Sequence, residues 1–275
     1  MPAANLAQRQ QNLARLCDAH SAHCVCGAAR AHASSTMAQK LPLSHAAPEG
    51  AMGKILGSGA LLSQMAVNPR PDSAEATLGT ADDVFFYLGA FGYPYTDCGF
   101  LFLPALEEGH QRDGVSTPFD SGALVSKVSN VNPPASYAQD IPGRVGFVRD
   151  HELPVSGYRE LLSRVITDYS RACGIYLESP DEFKCECGFV RGHPFGLVGG
   201  DRRAATFEVR LPRSVPLSPP HLHAVFVRTG FEPRELAPLR RAGVRIETFQ
   251  PEPGADSSGA LRAACINFIQ EHLLS

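Results

Sequence analysis

The period of the apolar positions changes several times along this chain, and each change marks an element. Asp83-Val-Phe-Phe-Tyr-Leu88 is a dense β-type run bounded by Asp82 and Gly89, and Gly99-Phe-Leu-Phe-Leu103 is a second, stopped by Pro104. Leu41-Pro-Leu-Ser-His45 has a short extended character. It leads into Pro48 to Leu56, where a proline near the start and a glycine after the end predict a short helix. Residues 66–82 and 107–120 are polar and read as loops, and 126–150 reads as a proline-bearing irregular stretch. From Val155 the pattern turns helical. Tyr158, Leu161, Leu162, Val165, Ile166 and Tyr169 recur at three- and four-residue steps, an amphipathic helix of about four turns. Residues 178–202, rich in Gly, Cys and charge, form another loop. Three strands follow at Ala204 to Leu211, Leu222 to Arg228 and Val244 to Phe249, with a helix from Pro233 to Arg241 between the last two. A final helix begins near Ser258 and closes the chain. At the other end, Leu6, Leu13 and Leu16 predict a short amphipathic helix, followed by an aperiodic Ala/His/Ser-rich leader to Gln39.

Strands cluster at both ends, with no strict β-α alternation, no internal repeat and no linker between two cores. This order predicts one α+β domain over residues 40–275 with long decorated loops, preceded by an N-terminal helix and flexible leader over 1–39. Composition agrees. At 275 residues, 44% hydrophobic and 19% charged, the chain is globular in kind and buries about 75% of its unfolded surface. The absence of Trp, with 25 Gly and 22 Pro, argues against a helical bundle. A net charge of −3 removes any global basic field for nucleic acid or membrane, although a local basic patch stays open. No apolar run approaches the roughly 20 residues that span a bilayer, and the N-terminus lacks a signal-like apolar core. The expected setting is the cytoplasm, or export by a specialised secretion system.

The cysteines make no regular framework. Cys24/Cys26 and Cys185/Cys187 form C-x-C pairs, and the first, with Cys17, His20 and His23, is a candidate zinc set. Structural zinc sites favour wider spacing, so free thiols in a reducing compartment are the plainer reading. The sequence contains no P-loop, no G-x-G-x-x-G after a strand, no H-E-x-x-H and no G-x-S-x-G. Phe119-Asp120-Ser121-Gly122-Ala123 is a candidate nucleophile turn, though a lone D-S-G arises easily by chance.

Three short segments carry more. Leu43-Ser-His45-Ala-Ala-Pro-Glu is followed by Ile55-Leu56 and a small-residue turn into Leu61-Leu62. Asp83 to Leu88 places Tyr87 near the end of an aromatic strand, and Thr206-Phe-Glu208-Val-Arg-Leu leads to Val215-Pro-Leu217. In this order the segments resemble the motifs of the ADP-ribosyltransferase superfamily of the H-Y-E type, including DarT-like and PARP-like transferases. The resemblance implies split antiparallel β-sheets and NAD as substrate. It also implies transfer of ADP-ribose to a macromolecular acceptor, protein or nucleic acid, as a bacterial toxin, effector or defence factor does. Glu208 would be catalytic, stabilising the oxocarbenium-like ribose left as nicotinamide departs. Tyr87 would stack on the nicotinamide, His45 would bind a ribose hydroxyl, and Ala46 would stand beside them. No metal is needed for these roles. Tyr93, Tyr95 and Asp97 are candidates for shaping the donor pocket by position. Arg191, Arg202, Arg203, Arg210 and Arg213 suggest a local basic bias around Glu208.

The sequence departs from the family's patterns at several points. Ala46-Ala47 replaces the usual Gly-Thr/Ser. No basic residue follows the aromatic strand before Arg112, which counts against a DarT-like DNA target. Thr206 stands where arginine-modifying enzymes carry a second Glu. Other readings stay open: NAD hydrolysis with water as acceptor, or a non-catalytic module with bound zinc. At the residue level, Glu208 also reads as a solvent-facing edge carboxylate beside Arg210, Tyr87 as core, and His45 as a structural histidine. His221 and His223, on one strand face, are a candidate metal pair.

Overall fold

The structure is a computed structural model. It describes residues 7–9, 11, 39–70, 73–91, 95–110, 113–117, 119–126, 137–155, 158–159, 207–231 and 233–273. Strands β1 (Leu43–Ala47), β2 (Ala60–Leu62), β3 (Asp83–Leu88), β4 (Cys98–Phe102) and β5 (Val115–Thr117) come first, followed by β6 (Leu153–Pro154), β7 (Glu208–Pro212), β8 (Ser214–Pro216), β9 (Leu222–Arg228) and β10 (Arg245–Phe249). Among the described residues, eight of these form one mixed sheet in the order β10-β9-β4-β1-β3-β7-β5-β6, and β2 pairs with β8 in a small second sheet. Only β9 and β10 run parallel.

The architecture is α+β, as the element order predicts. In place of the expected split antiparallel sheets, hydrogen bonding continues across one large mixed sheet. β1 and β3 pair only at Leu43↔Leu88 and Ser44↔Tyr87, and beyond that the imidazole of His45 replaces the ladder. β1 then completes its pairing with β4 over five residues. The sheet is closed at one end of the β1–β3 seam and open at the other.

Alternation places opposite chemistry on the two faces of the β3–β7 pair. Register matches Val84 to Leu211 and Phe86 to Val209, and these four side chains are buried in the main core. The intervening positions match Phe85 to Arg210 and Tyr87 to Glu208, which turns a tyrosine, a carboxylate and a guanidinium to the other side. The main core continues through Phe100 and Phe102, and Phe102 meets Phe86 edge-to-face at 5.5 Å. Further along the sheet, Phe91 lies on Gly99, where a Cβ would come within 2.2 Å of the ring, so only glycine fits there.

A smaller core stands over the polar face. Helices α1 (Glu49–Ser58) and α2 (Gln64–Val67) flank β2, and α3 (Ala74–Leu78), α4 (Ser121–Val125) and α5 (Ile141–His151) form the cover. Leu78, Phe119, Leu124, Val125, Phe147 and Val148 pack together, with Phe119 and Phe147 stacked at 5.3 Å. Polar ties lock this cover down. Arg144 donates to the Leu124 carbonyl at the end of α4, and Arg149 donates to the Leu78 carbonyl at the end of α3.

Several stretches read as loops are ordered elements. Residues 126–150 contain α5, whose start was legible: Asp140 caps it by accepting from Gly143 N–H at 2.9 Å, and Pro142 sits at the first turn. Residues 107–120 contain part of a 3-10 helix (Pro104–His110) and β5, and 66–82 contains α3. These pieces mix apolar residues that enter the smaller core with polar ones held by hydrogen bonds. Glu107, for example, is buried against Tyr158 and Arg159. Two further helices, α6 (Leu236–Arg241) and α7 (Ser257–His272), lie where the sequence predicts them. Most of the 1–39 segment, the helix expected from Val155 onward and the 178–202 loop lie outside the described residues.

Candidate active site

Glu208 opens β7, and β7 lies between β3 and β5, so the edge-carboxylate reading fails. Glu208 is only 2% exposed and Arg210 also 2%. A buried carboxylate requires partners. Ser121 supplies two: its backbone N–H donates to Oε2 at 3.1 Å and its hydroxyl donates to Oε1 at 2.5 Å. Behind the carboxylate, Arg210 Nε lies 3.4 Å from Oε1. The guanidinium also donates to Glu152, which Arg149 engages in turn. Burial, and after it the Asp120 carboxylate, push the Glu208 carboxyl up to about 8, against the pull of Arg210 and the two Ser121 bonds.

Tyr87 is the direct register partner of Glu208. Its hydroxyl donates to Asp120 Oδ2 at 2.8 Å, while Asp120 Oδ1 accepts from Ala123 N–H at 2.8 Å as the N-cap of α4. The D-S-G turn thus holds Tyr87 with one residue and Glu208 with the next. Tyr87 is 8% exposed and lines the cavity described below.

His45 sits at the opening of the β1–β3 seam. Its Nδ1–H donates to the Phe85 carbonyl at 2.8 Å, the assignment the acceptor requires, and leaves Nε2 as the acceptor nitrogen. Burial lowers its pKa, so the ring is neutral at pH 7. Ser44, its neighbour, donates to the Tyr87 carbonyl at 3.2 Å and secures the closed end of the seam.

These groups meet at a cavity of about 320 Å³ lined by His45, Ala46, Tyr87, Asp120, Glu208 and, across from them, Glu75 of α3. A second cavity of about 560 Å³ begins at the same His45 and Ala46 and runs along α1, β2 and α2. It has an apolar wall of Ala51, Ile55 and Leu61, and Lys54 and Arg70 also line it. Among the described residues, the first cavity carries three carboxyl groups and no Lys or Arg, and the second carries Lys54 and Arg70 and no Asp or Glu.

Four of the five residues singled out in the sequence, Glu208, Tyr87, His45 and Ala46, line one cavity. Tyr95 does not line either cavity. It is 82% exposed, adopts a left-handed backbone conformation (φ 59°), and its backbone meets Asp256 at the start of α7. The basic bias expected around Glu208 is not what surrounds it. Arg210 is buried in the chain of ion pairs behind the carboxylate, Arg213 lies in the turn after β7, and Arg191, Arg202 and Arg203 lie outside the described residues. Tyr93 and the cysteines of the two C-x-C pairs also lie outside them. Cys98 and Cys265 are buried thiols outside any disulfide, and no group of three His, Cys, Asp or Glu able to hold a metal occurs among the described residues. His223 packs edge-on to Phe268 at 5.7 Å. Asp120 and Ser121 are the site residues whose role sequence reasoning missed. The available signal was an Asp in N-cap position, three residues before a backbone amide that needs an acceptor.

No family model matches the chain, and no curated protein matches it. Among solved structures, it is similar to Thermus sp. 2.9 DarT in complex with NAD+, at 11% identity over 76% of this chain and 96% of that one, with a TM-score of 0.37. The same protein in complex with ADP-ribosylated ssDNA aligns at 10% identity over 76% and 93%, with a TM-score of 0.39. Its complex with carba-NAD+ aligns at 11% over 76% and 95%, with a TM-score of 0.37.

Proposed function

We propose that this protein cleaves the nicotinamide–ribose bond of NAD and transfers ADP-ribose to a macromolecular acceptor, protein or nucleic acid. The observation that carries this reading is one cavity walled by His45, Tyr87 and a buried Glu208. In this reading nicotinamide lies against the Tyr87 ring, and the ionised form of Glu208, which is populated as pH rises toward and past about 8, faces the adjoining ribose. The C1–N bond breaks with its electron pair leaving on nicotinamide, and the positive charge that grows on the ribose is met by Glu208. Neutral His45 accepts a hydrogen bond from a ribose hydroxyl at Nε2. Charge supports the same orientation. The carboxylate-lined cavity suits the cationic pyridinium ring, and Lys54 and Arg70 in the adjoining cavity suit the pyrophosphate. The acceptor's lone pair then forms the new bond to C1 and its proton is released. Such an activity fits a toxin, effector or defence factor, acting in the cytoplasm or after export.

The test is to incubate the protein with labelled NAD and cell extract and follow both free nicotinamide and the label. Release of nicotinamide, with label entering protein, DNA or RNA, is the expected result, and Glu208→Gln abolishes it by about 1,000-fold. Nicotinamide release with label recovered only as free ADP-ribose makes the enzyme a glycohydrolase. No release of nicotinamide overturns the reading.

A further inference from the structure

The D-S-G turn has no role in bond cleavage as described above, yet it touches both polar side chains of the β3–β7 pair. Ser121 is fully buried and lies 87 residues from Glu208 in sequence. It gives that one carboxylate two donors, one from the backbone and one from the side chain, on different oxygens. Ser121 is the first residue of α4, a position whose amide has no partner within a helix, so its N–H is free to point outward. Asp120, immediately before it, accepts from Tyr87 and from the α4 amide of Ala123 at once. A buried serine placed only to fill space would need neither arrangement.

We propose that Ser121 is the positioning residue of this site: it grips both oxygens of Glu208 and holds the carboxylate in one orientation toward the donor ribose, while Asp120 keeps Tyr87 in register with it. The catalytic part of this proposal rests on the NAD-cleavage reading; the grip itself does not. Two hydrogen bonds to a carboxylate favour its charged form. They act together with Arg210, itself held by Glu152, and against burial and Asp120. Tyr87, His45 and Glu75 are the other titratable groups facing the cavity. Removing Ser121's donors shifts the balance toward the neutral acid.

Two variants separate the donors. Ser121→Ala removes the hydroxyl and keeps the amide. Ser121→Pro removes both, and the first position of a helix is where proline is best tolerated; the extended Asp120 (φ −70°, ψ 107°) also suits a residue before proline. Nicotinamide release is expected to fall about 10-fold in Ser121→Ala and about 100-fold in Ser121→Pro, as charge-assisted hydrogen bonds are lost. The acid limb of the pH profile moves to higher pH in the same order. The Glu208 carboxyl resonance, assigned by its loss in Glu208→Gln, titrates at correspondingly higher pH. A merely structural role would lower stability without moving either titration. Folded variants whose pH profile and carboxyl titration match the parent overturn the proposal. Should the parent protein release no nicotinamide, the NAD reading falls, while the carboxyl titration, which needs no NAD, still decides whether Ser121 grips Glu208.

Discussion

The two faces of the β3–β7 pair are about equally buried and opposite in chemistry. On one face Val84, Phe86, Val209 and Leu211 are at most 2% exposed and belong to the main apolar core, where Phe86 also meets the edge of the His45 ring. On the other, Tyr87, Glu208 and Arg210 are at most 8% exposed and meet Asp120, Ser121 and Glu152. Burial alone therefore does not separate core from site here. The distinction lies in what compensates the loss of water: dispersion and apolar transfer on one face, an alternating chain of acid and base on the other. The second solution is costly, because each ionised group retained in the interior depends on its neighbours. Its benefit is a carboxylate fixed at a cavity wall.

Mutations on each face should break different properties. Phe86→Ala, on the apolar face, is expected to cost about 4 kcal/mol of stability through lost transfer energy and a cavity, readable in a denaturant titration. Glu208→Gln, on the polar face, keeps the volume and replaces one acceptor oxygen by an NH2 donor, so its largest effect falls on nicotinamide release, with a smaller loss of stability from the mismatched Ser121 donor. Tyr87→Phe comes next. It keeps the ring and deletes the bond to Asp120, lowering turnover about 10-fold, the scale of one hydrogen bond to a charged group. A comparable loss on Tyr87→Phe and Tyr87→Ala would show that the hydroxyl, not the ring, matters.

A further test sharpens the comparison through pH. The Glu208 carboxyl is raised in the folded state from an ordinary value of 4.5 to about 8, so the folded protein binds more protons than the unfolded chain between those values. The stability this group contributes is fully present below its unfolded value and is lost as pH rises through its folded value. The Tm of the parent should therefore fall relative to that of Glu208→Gln as pH is raised from 4.5 toward 8. A constant difference across that range would mean that Glu208 is ionised throughout.

Much of the sheet was legible. The aromatic run at Asp83–Leu88 and the strand at Leu222–Arg228 lie where the apolar pattern places them, and the seventh strand begins at Glu208 inside the stretch that predicts it. Alternation also sets Glu208 opposite Val209. What alternation does not contain is the neighbour on each side. β7 reads as an edge strand until β3 and β5 are found flanking it. Tyr95, close to the aromatic strand in sequence, is exposed and lines neither cavity. The same limit hid α5, whose Gly and Pro content looks irregular although its cap and its first-turn proline mark a helix start.

The sequence by itself determined which side chains each strand presents to each face, because that follows from a two-residue period and needs no partner. It also determined that His45, Tyr87 and Glu208 occur in an order compatible with one site. Only the tertiary structure decided that these residues share a cavity, since they come from strands whose pairing is long-range. It alone turned a commonplace D-S-G into the partner of Glu208. The hydrogen bonds of Ser121 span 87 residues, and no local periodicity encodes a contact of that length. The ionisation of Glu208 is likewise a tertiary property, set by burial, Asp120 and Arg210 acting together at one point.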